Sequence, residues 1–208
     1  MPHHILTPMK MSVLDRMLLL LTGLLAAYQV AIGIEGASTL PMIAYTVGFG
    51  VLLVAGLLLI ILGFDVLDSP VVVIVSTVIP LSLSSGLVWE HLAAWRSPYL
   101  VFAILGFLAI VITRLTKTGK LATVVLAAVH GVAGLVIFIL PIAMSIAGQR
   151  PPGFSLVGVG GALIGLGGLL LSFLKAGRPI LSRETILKVL PGLLLLTTAA
   201  FVVGFALA

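Results

Sequence analysis

No cysteine occurs in the chain, so disulfides, thiolate metal sites, iron–sulfur clusters and covalently attached c-type haem are excluded, and the redox compartment is not written in the sequence. Charge is the next scarcity. Of the 208 residues, 8% are charged and 61% hydrophobic, against roughly a quarter charged and half apolar in soluble domains. A chain this short cannot hide that much apolar surface inside itself, so its solvent is lipid. Carboxylates are missing from the middle of every long apolar run, since Glu35 and Glu90 fall near run ends, and this excludes a buried acid pair. There is no His-Glu-x-x-His, no Gly-x-Ser-x-Gly elbow and no glycine loop followed by Gly-Lys-Ser/Thr, which removes the zinc-protease, serine-hydrolase and P-loop chemistries. The net charge of +5 comes from cations scattered between apolar runs. It lacks the dense basic stripe and interleaved aromatics of a nucleic-acid surface, so no nucleic-acid partner is expected.

What is present is a series of apolar runs, each near the 20 or so residues that a helix needs to cross the hydrocarbon core. Seven follow from the breaks at charges, Pro and Gly: Leu14 to Ile34, Pro41 to Gly63, Pro70 to Leu92, Pro98 to Arg114, Leu121 to Ile146, Phe154 to Leu174 and Ile186 to Ala208. The fold class expected is an all-α polytopic bundle, a single transmembrane domain over residues 1–208. Strands are not expected, because a membrane barrel shows alternating segments of about ten residues and these runs are continuous. Ser12 and Asp15 are spaced as a capping box at the start of the first span. Ser69-Pro70 and Ser97-Pro98 each place a cap residue before a proline suited to the first helical position. Lys10 and Arg16 before the first run, with Leu25-Ala26-Ala27 inside it, look like a signal peptide. The run continues to Ile34, however, which favours an uncleaved first helix.

The cations give the orientation. Lys10, Arg16, Arg114, Lys117, Lys120, Lys175, Arg178, Arg183 and Lys188 fall on one side of a seven-span chain, and Arg96 and Arg150 on the other. Lys and Arg collect on the cytoplasmic side of membrane proteins, so the N-terminus is expected inside and the C-terminus outside, in a prokaryotic plasma membrane. Contact with anionic lipid heads is expected along the basic side.

Spans one to three and five to seven read as a parallel repeat flanking the fourth. Gly48-Phe49-Gly50 and Pro80 match Gly158-Val159-Gly160 and Pro191 at an offset of 110 or 111 residues, and Leu25-Ala26-Ala27-Tyr28-Gln29 parallels Leu126-Ala127-Ala128-Val129-His130. This three-plus-one-plus-three layout resembles sugar transporters of the SWEET type in helix count alone. The Pro-Gln loop motif of that family is absent and the charge bias gives the opposite orientation, so no residue is carried over.

Three features are candidates for function. Thr77, Ser84 and His91 recur every seven residues on span three, beside Pro80 and next to Glu90. They line a polar path or a quinone-type site, or else the hydroxyls bond their own backbone around the proline while Trp89, Glu90, His91 and Arg96 form an interfacial belt. His130 stands about nine residues into span five, roughly 14 Å deep at helical rise. At that depth it is a candidate for haem ligation or proton transfer, or bonds within the bundle to Gln29 or Thr46. One b-type haem cannot use both His91 and His130, whose heights differ by roughly 15 Å. Finally, Gly158, Gly161, Gly165, Gly168 and Ser172 share one face of span six, suited to close packing inside the bundle or to docking a partner. His3 and His4 lie in a short polar tail and are not expected to bind metal.

The reading placed first is a structural or accessory subunit of a larger membrane complex, respiratory or otherwise energy-transducing, with no catalytic site of its own and no cofactor. Other membrane subunits would be its partners. The second is a small-solute or ion transporter, from the repeat and the matched prolines. The third is a redox subunit holding b-type haem or quinone, from His130 and the Glu90-His91 pair.

Overall fold

A computed structural model describes residues 11–116, 119–175 and 180–208, with the side chains of residues 68, 172 and 175 outside the described set. His3, His4, Lys10, Lys117 and Arg178 therefore lie outside the described residues, as do the side chains of Ser172 and Lys175. Among the described residues are seven helices long and apolar enough to cross a membrane: α1 (Val13–Ile32), α2 (Thr39–Leu62), α3 (Pro70–His91), α4 (Arg96–Leu115), α5 (Lys120–Ile146), α6 (Ser155–Lys175) and α7 (Arg183–Ala206). No strand is present among the described residues. The protein is an all-α, multi-pass membrane bundle.

Helix ends follow local chemistry. Ser12 accepts a hydrogen bond from the Asp15 amide at 3.1 Å while the Asp15 carboxylate accepts from the Ser12 amide at 2.8 Å, closing the capping box. With neither side chain contributing to the core, Ser12→Ala is expected to lower stability by about 1 kcal/mol through loss of this cap. Denaturant titration in micelles followed by circular dichroism measures it. Both α1 and α2 end at glycines of positive φ, Gly33 and Gly63, whose amides bond back to Gln29 and Leu59. Ser69 precedes Pro70 at the start of α3 as expected, although its hydroxyl makes no capping bond. At α4 the expectation fails, because the helix begins one residue before Ser97, with Trp95 at the cap and Pro98 inside the first turn. Before α7, Ser182 caps the Thr185 amide, and this draws the polar turn Arg183-Glu184-Thr185 into the helix three residues ahead of the apolar run.

Six helices close into a ring in which α1 packs on α2, α2 on α3, α3 on α5, α5 on α6, α6 on α7 and α7 back on α1, while α4 packs outside on α3 and α5. Exchanging α1-α2-α3 with α5-α6-α7 maps this set of contacts onto itself. The two seams, α3 against α5 and α7 against α1, are then equivalent, and Pro80 inside α3 corresponds to Pro191 inside α7, while Pro141 inside α5 has no counterpart in α1. Apolar side chains fill the ring: Tyr45, Phe49, Leu83, Leu87, Ile137, Val157, Phe201 and Phe205 form its main core. A second cluster of Leu19, Leu59, Phe64, Leu187 and Leu190 closes the end that carries the α2–α3 connection. We call that end the basic face and the end bearing Glu90 and Arg150 the opposite face.

Candidate functional site

The densest polar arrangement sits at the opposite face of the ring, over its aromatic core. Tyr45 enters from α2, and its ring lies where any side chain on residue 86 would be, so Gly86 of α3 lets the two helices close. Its hydroxyl donates to Glu90 Oε2 at 3.3 Å. The Glu90 Oε1 atom is 3.9 Å from Arg150 Nη2, which comes from the α5–α6 connection. Arg150 also stands over the Phe154 ring at 5.7 Å. Phe154 meets His91 edge-on at 5.4 Å, and Tyr45 packs on Phe205 at 4.8 Å between ring centres. Below them Phe49 meets Phe201 at a nearly perpendicular angle of 88°. The centre of the ring is thus stoppered by aromatics from α2 and α7 and crossed at its mouth by an ion pair. Arg96 takes no part in this pair; it donates to the Trp89 carbonyl and covers the Trp89 ring.

The span-three residues divide. Thr77 and Ser84 are fully buried, and their hydroxyls donate within α3, to the Val73 carbonyl at 2.8 Å and the Pro80 carbonyl at 2.6 Å. Ser84 lies near the Tyr99 hydroxyl of α4, which is buried without a hydrogen-bond partner. Their face therefore turns to the α4 side, whereas Leu83 and Leu87 face the ring. Glu90 and His91 alone of the four reach the cluster at the opposite face.

His130 is half-buried on α5, and its Nδ1 atom is buried without a hydrogen-bond partner. Gln29 is not that partner, because its amide donates to the Gly33 carbonyl on α1, and α5 packs on α3, α4 and α6. Val129 shares a cluster with Leu81, so His130 stands level with the stretch of α3 near Leu81, roughly 15 Å along the axis from His91.

The glycine face of α6 also divides. At Gly158 and Gly161 a β-carbon would fall within 2.6 Å and 2.7 Å of α5, so this half is used for packing inside the bundle. At Gly165 and Gly168 a β-carbon would meet nothing within 4 Å. Sequence reasoning passed over Tyr45, Arg150 and Phe154, whose partners are distant in sequence. It also passed over Thr197, fully buried on α7 with an unpartnered hydroxyl. The only signal for Arg150 was its isolation as a cation on the sparse side. No family model, curated protein or solved structure matches the chain.

Proposed function

We propose that the chain is a transporter of a small solute or ion, in which α1-α2-α3 and α5-α6-α7 move against each other about the centre of the ring. One observation carries this reading: the two ion pairs among the described residues each join one half to the other, at opposite ends. Glu90 to Arg150 ties α3 to the α5–α6 connection at 3.9 Å, and Asp65 to Arg183 ties the α2–α3 connection to the start of α7 at 4.0 Å. A tie at each end of two exchangeable halves suits alternating exposure of a central site by rocking of one half against the other. The exchangeable contacts of the two seams and their matched prolines support it. Thr197 offers an unsatisfied hydroxyl inside the ring.

Because the chain has no native cysteine, a single Thr197→Cys reporter tests this directly in oriented vesicles with a membrane-impermeant thiol reagent. Glu90→Gln is expected to raise labelling from the opposite face several-fold, and Asp65→Asn to raise it from the basic face. Labelling that stays slow from both sides in both variants overturns the proposal.

A second reading, the membrane subunit, is favoured by the uncovered Gly165 and Gly168, a surface on which another membrane helix could lie closely. Recovery of a stoichiometric second chain with the native protein, lost on Gly165→Leu, would support it.

A further inference from the structure

Both oxygens of Glu90 are engaged, and by contacts of different kinds. The Tyr45 hydroxyl donates to Oε2 at 3.3 Å, whereas Oε1 stands 3.9 Å from Arg150 Nη2, beyond hydrogen-bond reach and held by charge alone. The two contacts also differ in what they join. Tyr45 and Glu90 come from α2 and α3, within one half, while Arg150 comes from the α5–α6 connection of the other. A proton on the carboxylate would leave an oxygen for the Tyr45 hydroxyl but remove the charge that attracts Arg150. Because a guanidinium stays charged at any ordinary pH, the carboxylate is the end of the tie that a proton can switch.

The neighbours offer Arg150 no second carboxylate. From α4, Arg96 donates to the Trp89 carbonyl and covers its ring, and Tyr99 lies deeper, near Ser84. From α7 comes the Phe205 ring, packed on Tyr45. His91 follows Glu90 on α3 and meets Phe154 edge-on, with the Arg150 guanidinium over that same ring. Charged, it would add a second cation beside Arg150. Glu35, in the α1–α2 connection, is exposed. At the basic face Asp65, 4.0 Å from Arg183, keeps 68% of its side chain exposed against 20% for Glu90, so its pair is the more strongly screened. The two carboxylates meet different compartments, and a pH change at one face reaches one tie and not the other.

We infer, resting on the transport reading, that Glu90 is a proton latch: protonation from the compartment at the opposite face releases Arg150, and the halves part at that end while the basic face stays tied. Acid on that side thus opens the ring towards it. The Tyr45 bond keeps the protonated side chain in place, so that loss of the proton re-forms the tie.

The test uses the Thr197→Cys reporter in oriented vesicles, with the basic face held near neutrality and the opposite face stepped from about pH 8 to about pH 4, a range that spans carboxylate titration. The reagent, applied at the opposite face, is a membrane-impermeant pyridyl disulfide, which still reacts with thiols in acid. Rates are divided by those of the same reporter carrying Glu90→Gln, so that the pH dependence of the reagent cancels. At the alkaline end the native carboxylate is expected to give roughly one-fifth of the Glu90→Gln rate, and the ratio is expected to rise towards one as the pH falls. Arg150→Gln removes the other end of the tie; it is expected to label fast across the range and replaces Glu90→Gln as the reference if that variant fails to fold. His91→Gln is expected to keep the step. A flat ratio, with the reference variant fast throughout, overturns the latch and leaves the transport reading standing. A step that vanishes in His91→Gln also overturns it, by assigning the response to the imidazole. If neither Glu90→Gln nor Arg150→Gln speeds labelling at the alkaline end, the transport reading fails and the latch with it.

Discussion

Replacing Gly158 or Gly161 by alanine is expected to destabilise the bundle by about 1–3 kcal/mol each, the usual cost of forcing extra atoms into a packed interior, while the same change at Gly165 or Gly168 leaves stability nearly unchanged. The difference comes from what the added methyl meets. At Gly158 it would lie 2.6 Å from the Phe138 carbonyl oxygen as well as from Ile142, and at Gly161 within 3.0 Å of the backbone at Ile137 and Phe138. A side chain can rotate away, but the backbone of α5 cannot, so the two helices must separate. Separation would loosen Ile137, which is fully buried in the main core beside Val157 and Phe154. In lipid such close packing is the principal force holding helices together, because there is no water for apolar faces to escape. At Gly165 and Gly168 the methyl enters open space, and the better helix propensity of alanine offsets any small loss. Unfolding in mixed micelles, followed by circular dichroism for the four single variants, measures the effect. Equal destabilisation at all four positions would show that the glycine face acts as one unit and that its two halves are wrongly distinguished.

This contrast marks what sequence could and could not disclose. Each span announces itself, because twenty apolar residues between charges have no other stable state in a bilayer. The capping box at Ser12 and Asp15 is equally local and equally legible. The start of α4 was misplaced because Ser97-Pro98 obeys a statistical preference for caps, whereas the turn before it, Ala93–Trp95, already carries the chain into helical geometry. Helical spacing puts Thr77, Ser84 and His91 on one face, but spacing alone does not say which neighbour that face meets. It meets the α4 side, and the hydroxyls of Thr77 and Ser84 are taken up by carbonyls of their own helix. The glycines of α6 likewise share a face by spacing, yet α5 covers only the half near Gly158 and Gly161. The cluster of Tyr45, Glu90 and Arg150 escaped notice for the plainest reason. Its members come from three separate elements, and only the closing of the ring brings them together.

Combining the two neutralisations, Glu90→Gln with Asp65→Asn, is expected to restore the balance of labelling at Thr197→Cys that either change alone disturbs. If the halves exchange between a state open at the opposite face and one open at the basic face, each ion pair stabilises the state in which its own end is shut. Partly exposed pairs of this kind contribute up to about 1 kcal/mol, and Glu90 and Arg150 keep 20% and 34% of their side-chain surface exposed. That is enough to shift the ratio of two nearly equal states by roughly fivefold, and too little to unfold the bundle. Glu90→Gln alone should therefore raise labelling from the opposite face and lower it from the basic face. Asp65→Asn should do the reverse. In the double variant the two biases cancel in the ratio of states. A purely structural role for the pairs predicts something different, because loosening both ends should raise labelling from both sides and the double variant should be the most reactive of all. Tyr45→Phe removes the hydroxyl that also bonds Glu90 at 3.3 Å while leaving both charges in place. It should shift the ratio in the direction of Glu90→Gln but by less, since a neutral donor is worth less than the ion partner it assists.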